Sequence, residues 1–290
     1  MPPATPSGPA SPRTRRDLCP GVLRPWPADD GALVRLRLVG GRLPGARLAA
    51  IGEVARRHGD GDVHLTGRAN LQLRALPLDA DGAALRPDVV EAIADTGLLP
   101  TRSHDMVRNV MVSPSSGLAG GRADLRRVAA HLESLLVTDE TLADLPGRFL
   151  FVLDDGRGDL LRDCDLGLVV LDDETAQLRV GTAWGPVVPL AEAAGALHAL
   201  ARAFAAARGE GPTAAWHVDE LGVPLVAAQP PDPRLPDPAP PLPYGPVPGG
   251  THVAAPDGVL SPALVADLAA RAARGPADLV VTPWRGVLVP

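Results

Sequence analysis

Between Val63 and Arg74 the chain reads VHLTGRANLQLR, and every second side chain is polar: His64, Thr66, Arg68, Asn70, Gln72 and Arg74. Each of these can donate a hydrogen bond and none is an acid, although the chain holds 34 Asp and Glu residues. A face evolved only for solvation mixes both signs of charge. A guanidinium grips carboxylate or phosphate through two parallel hydrogen bonds, so Arg68, Asn70 and Gln72 in one row suit an anion. The intervening Val63, Leu65, Gly67, Ala69, Leu71 and Leu73 are apolar or small, and this period of two predicts one continuous strand with a buried face. An amphipathic strand over plain solvent gives the same alternation, so the pattern by itself leaves both readings open.

Other chemistry is sparse. Cys19 and Cys164 are the only cysteines and stand 145 residues apart without CxxC spacing, which predicts free thiols in a reducing, cytoplasmic setting. The seven histidines contain no HExxH or comparable spacing, so no metal site is expected. The sequence singles out no catalytic residue. A net charge of −6 and a pI near 5.6 argue against nucleic acid as a partner. All 28 basic residues are Arg, a compositional bias that removes any meaning from Arg abundance alone. No apolar run of about 18 residues predicts a membrane span.

The elements that must position these groups follow from periodicity. Residues 1–17 are rich in Pro, Ser and Thr and read as a disordered tail. From Gly31, ALVRLRLV reads as a short strand, and Pro44 to His58 reads as a helix carrying Leu48, Ile51 and Ala55 on one stripe and ended by Gly59. With the Val63 to Arg74 stretch these form a β-α-β unit within residues 18–80. A faint echo, GVLSPALVADLAARAARGPADLVVTPWRGVLV, spans residues 258–289 of a second half-domain over residues 250–290, with Gly41 matching Gly258 and Thr66 matching Thr282 at offsets of 217 and 216. Trp284 then stands where the first copy has Arg68. Two such units can cover each other's open edges in one ferredoxin-like sheet. Between them, residues 100–225 predict an α+β domain: a helix from Ala123 to Leu136, strands at Arg148–Leu153, Gly167–Leu171 and Gln177–Val180, and a helix from Leu190 to Ala207. Residues 226–249, dense in Pro, read as an extended linker. The expected fold is therefore α+β, with two half-domains pairing around a central domain.

Several stretches, CPGVLRPWPADDGALVRLRL, HLTGRANLQLRAL, RNVMVSP and LPGRFLFVLDDGRGD, together resemble the nitrite and sulfite reductase superfamily, and within it the precorrin-3B synthase branch of cobalamin biosynthesis. That resemblance implies repeated ferredoxin-like half-domains and a basic cavity for a tetrapyrrole, either sirohaem as cofactor or a precorrin as substrate. It assigns anion-gripping roles to Arg68, to Arg108 in RNV and to Arg148 in LPGRF, while Leu150 stands where the reductases carry a second lysine. Asn70 and Asn109, the only asparagines, each lie within two residues of one of these arginines and join the expected anion site with Gln72. The family also carries a 4Fe-4S cluster on four thiolates, which residues 1–290 do not supply. The implied function is a precorrin-3B synthase-like oxidoreductase in truncated or split form, with a separate cluster-bearing polypeptide as partner. The alternative is a non-catalytic tetrapyrrole-binding module.

Overall fold

A computed structural model describes residues 17–290, so the tail expected over residues 1–17 lies outside the description except for Asp17. Asp17 belongs to the fold: its carboxylate accepts from the Cys19 N–H and from the Gly147 N–H.

The first unit runs β1 (Trp26–Ala28), β2 (Gly31–Leu36), β3 (Arg42–Leu43), α1 (Gly45–His58), β4 (Val63–Leu65) and β5 (Leu71–Leu76). In β2 the alternation turns Ala32, Val34 and Leu36 fully inward. Along α1 the expected stripe is buried at Leu48, Ile51 and Ala55, joined by Val54, and the Gly59 N–H closes the helix on the Ala55 carbonyl. The expected twelve-residue strand is corrected to a hairpin. β4 and β5 pair antiparallel, with His64 opposite Gln72. Thr66 to Asn70 forms the turn, held by the Thr66 N–H to the Asn70 carbonyl at 2.9 Å, the Thr66 hydroxyl accepting from the Asn70 N–H, and Ala69 at φ +56°. The turn keeps the parity of the alternation, so the sequence pattern runs through it unbroken while Arg68 moves to its tip. α2 (Pro87–Asp95), a helix beyond those the periodicity predicts, then packs Val89 and Ile93 into the same core.

The central domain comprises β6 (Val110–Val112), α3 (Arg126–Thr138), β7 (Phe151–Asp154), β8 (Leu166–Val170), β9 (Thr175–Val180), β10 (Ala183–Pro189) and α4 (Leu190–Ala207). Its sheet has the order β10-β9-β8-β7-β6, parallel from β6 to β8 and antiparallel beyond. All three phenylalanines meet in its core, with Phe149 4.8 Å from Phe204 and 5.3 Å from Phe151 between ring centres. The strand expected from Arg148 begins only at Phe151, leaving Arg148 exposed in the preceding turn.

The second unit repeats the first: β11 (Gly245–Val247), β12 (Gly250–Ala254), β13 (Val259–Leu260), α5 (Pro262–Ala272), β14 (Leu279–Val281) and β15 (Gly286–Val289). The Thr66 turn recurs at Thr282, whose N–H bonds the Gly286 carbonyl at 2.9 Å, with Arg285 at φ +58° in the place of Ala69. The single sheet expected from the two units is corrected to two five-stranded sheets that exchange their shortest strand. β3 pairs with β14, and β13 pairs with β4, giving β1-β2-β5-β4-β13 and β11-β12-β15-β14-β3. Each unit thereby covers the edge the other leaves open. α1 lies against α5 so closely that a Cβ on Gly45 would come within 2.6 Å of the Ala272 Cβ, and one on Gly52 within 2.7 Å of Val265.

The Pro-rich stretch is extended as expected but is not a free tether. Gln229 bonds Trp184, the Asp232 N–H reaches the Gln177 side chain at 2.8 Å, and the Ala239 N–H reaches the Gly158 carbonyl at 2.9 Å, before β11 rejoins a sheet. Among the described residues no helix is long and apolar enough to cross a membrane.

Candidate functional site

The hairpin tip brings Arg68 against the central domain. Its guanidinium donates to the Arg148 carbonyl at 2.9 Å, and Arg162 donates to the Gly67 carbonyl at 3.1 Å, so the turn and the segment around β7 hold each other. Arg35, opposite Gln72 in the β2–β5 pair, completes the group. Burial, and then the charges of Arg35, Arg148 and Arg162, hold the Arg68 pKa below the usual guanidinium value. Like charges crowded this way favour an anion between them. None of the four forms an ion pair among the described residues, and the Arg35 Nε is buried without a hydrogen-bond partner. An orphaned guanidinium donor inside protein is costly unless a ligand uses it. Asp165 is near enough to interact with Arg68, but one of its oxygens accepts the Leu150 N–H at 2.9 Å and the other lies 3.7 Å from His217.

The other expected site residues separate. Gln72 stays on the polar face beside Arg35 and His64. Asn70 and Asn109 are buried and spent on each other: Asn70 accepts from the Leu38 N–H at 2.9 Å and donates to Asn109 at 3.0 Å, and Asn109 donates to the Phe149 carbonyl at 3.1 Å. Their amides join the first unit to the central domain, a correction to their expected role as anion donors. Arg108 also departs from expectation, because its side chain bonds Glu133 of α3 at 2.8 Å and lines a different cleft.

Sequence reasoning missed Arg35 and Arg162. Arg35 was legible as the polar member of an alternating strand, whereas nothing local marks Arg162, which a distant turn recruits. Arg37, two residues on, is 1 % exposed and donates to the carbonyls of Pro20, Asp105 and Gly147, which makes it a structural tie. In the second unit the corresponding face is closed by rings. His252 occupies the position of Arg35 and Trp284 that of Arg68, with the Tyr244 ring 4.6 Å from His252. The basic face therefore exists in the first copy alone.

The cysteines do not fit an iron–sulfur cluster. Both are free; burial, followed by Asp17, pushes the Cys19 thiol up, and burial raises Cys164 to about 11, so neither is disposed to be a thiolate ligand. Asp154, Asp155 and Asp159 lie close together, but Asp154 accepts three backbone N–H groups, Asp155 pairs with Arg157 and Asp159 takes the Ser113 hydroxyl, so these acids order their own loop.

Residues 27–84 match the nitrite/sulfite reductase ferredoxin-like half domain. Over 173 residues, 59% of this chain and 35% of the relative, it is 30% identical to a precorrin-3B synthase from Sinorhizobium sp. It is 29% identical over 124 residues to a ferredoxin–nitrite reductase from Leptolyngbya laminosa, covering 40% of this chain and 23% of that protein. The fold matches the NirA protein of Mycobacterium tuberculosis with a TM-score of 0.69 at 19% identity, covering 94% of this chain and 59% of that one. The chain is thus similar to the nitrite and sulfite reductase superfamily, through the half-domain match over residues 27–84 and the partial matches to its members. Its matches span about a third or less of the curated relatives' length.

Proposed function

We propose that the Arg35, Arg68, Arg148 and Arg162 face holds the carboxylates of a tetrapyrrole, as part of a precorrin-3B synthase-like oxidoreductase. One observation carries this reading: four guanidinium groups converge without an ion pair among the described residues, one with a buried and unused Nε. A precorrin or sirohaem bears carboxylates around its rim, and planar guanidinium forks match them bidentately. The bound tetrapyrrole would supply the reacting macrocycle, while these residues orient it and Gln72 adds a neutral donor. The two thiols of residues 1–290 do not fit a four-iron cluster, so the redox centre in this reading is held by residues outside this stretch, with a separate cluster-bearing polypeptide as one source. The second reading, a non-catalytic tetrapyrrole-binding module, rests on the same guanidinium face, which can hold a carboxylated ring without any redox group.

Titration of sirohaem into the full chain at fixed salt tests the face. Arg68→Ala and Arg35→Gln should each weaken binding by about 1.5 to 3 kcal/mol, the scale of a charge-assisted hydrogen bond. Arg68→Lys should recover only part of the loss, and Arg74→Ala, whose side chain pairs with Asp30, should lose less. Equal affinity for wild type and the Arg68 and Arg35 variants would remove the reading. Adding a cluster-bearing partner and following turnover of a precorrin then separates enzyme from binding module.

A further inference from the structure

A second cleft of about 450 Å³ lies between the loop after β2, the start of α1, the Gly97 turn and α3, and it shares no lining residue with the Arg68 face. Arg42, Arg47, Arg108, Arg126 and Arg127 all line it. Three are matched by acids: Arg42 by Asp278 at 2.9 Å, Arg108 by Glu133 at 2.8 Å and Arg126 by Asp124 at 2.6 Å. Arg47 and Arg127 have no ion pair among the described residues and are exposed. The cleft thus carries two unmatched positive charges.

Two further features point the same way. α1 and α3 both begin at this cleft, through Pro44 and Arg47 and through Arg126 and Arg127. Neither helix has an acid within its first turn, but Asp124 takes the Arg126 N–H at 3.0 Å just before α3, so it is α1, with no side-chain cap, whose free N–H groups and positive dipole end add to the guanidinium charge. Independently, the Arg108 side chain is 8 % exposed, and its Nη1 is buried with no hydrogen-bond partner. Gly97, at φ +72°, lets the Arg47 guanidinium lie against the turn, since an added Cβ would stand 3.2 Å from its Nε. Leu38, Val39, Leu98 and Ala129 give the cleft apolar walls, so charge is focused rather than dispersed.

We propose that this cleft is a binding site for a dianionic phosphate group carried by a small molecule. Two unmatched guanidinium groups, an orphaned Arg108 donor and the uncapped N-terminus of α1 supply charge and hydrogen bonds for a doubly charged oxyanion, and the volume accommodates a compact organic body behind it. The assignment does not rest on the tetrapyrrole reading, because the residues are different.

The test is calorimetric titration of the full chain with inorganic pyrophosphate at constant ionic strength set by chloride, with citrate as a carboxylate arm. The expected result is saturable one-to-one binding that Arg47→Gln and Arg127→Gln each weaken and that the double variant weakens at least tenfold. Both side chains are exposed and unpaired, so the melting temperature without ligand should not move. Arg274→Gln, an exposed control elsewhere, should bind as wild type does, and Arg68→Ala should leave pyrophosphate binding intact. Absence of saturable binding, unchanged affinity in the double variant, or tighter binding of citrate than of pyrophosphate would overturn the proposal.

Discussion

The side-chain amides of Asn70 and Asn109, the only asparagines in the chain, meet at 3.0 Å and bridge the Leu38 N–H to the Phe149 carbonyl. This relay crosses from the hairpin of the first unit to the core of the central domain. It fixes the turn that carries Arg68 relative to the segment that carries Arg148. Asn70→Ala strands the Leu38 N–H and one Asn109 group inside protein, and Asn109→Ala does the same to Asn70 and Phe149. Each should cost about 1 to 3 kcal/mol, with a coupling energy of about 0.5 to 3 kcal/mol in a double-mutant cycle. Denaturant unfolding of the four proteins measures it, and strictly additive losses would show that the pair does not act as a unit.

Gly41 and Gly258 occupy equivalent places in the two copies but differ in what surrounds them. A Cβ on Gly41 would lie 2.1 Å from the Val281 carbonyl oxygen at φ +69°, whereas one on Gly258 would meet the movable Arg285 Cδ at 2.9 Å at φ +76°. Backbone cannot give way as a side chain can. Gly41→Ala should therefore lose about 2 to 4 kcal/mol and Gly258→Ala only about 1 kcal/mol, the ordinary cost of a strained φ. Thermal unfolding of both variants decides it, and the reverse order would mean that the exchanged β3 edge yields more readily than its surroundings suggest.

Burial raises the pKa of Asp159 to about 7. The folded state then holds a proton that the unfolded state has released, so stability contributed by the neutral acid is full below pH 4 and is lost as pH rises through 7. Asp159→Asn, which keeps an oxygen for the Ser113 hydroxyl, should remove that loss. Between pH 5 and pH 8 the wild type should lose on the order of 2 kcal/mol more than the variant. Parallel stability curves for the two proteins across this range would contradict it.

With two protonated, separately placed thiols, the chain expressed alone and treated anaerobically with iron and sulfide should stay colourless. Binding of four irons per chain with a broad visible band would show that copies of the chain share their cysteines around a cluster.

Much of this protein is written locally. Apolar spacing determined α1 and α4 nearly to the residue, the alternation of ALVRLRL determined β2, and the weak echo of Gly41 and Thr66 in Gly258 and Thr282 determined that the two ends share one design. Pro density determined that residues 229–244 run extended. These features depend on neighbours in the chain, and periodicity reports them directly. The hairpin at Thr66 escaped because its turn preserves the alternation, so a strand and a hairpin print the same pattern. The exchange of β3 and β13 escaped because a two-residue strand has no sequence signal and is defined by the edge it meets. Partners at long range likewise decided the fate of each polar side chain. Asn70 found Asn109, Arg108 found Glu133, and Arg68 was left with Arg35, Arg148 and Arg162. The sequence determined which side chains could donate to an anion. Only the tertiary structure decided which donors stayed unspent, because a hydrogen bond satisfied inside the protein is no longer available to a ligand.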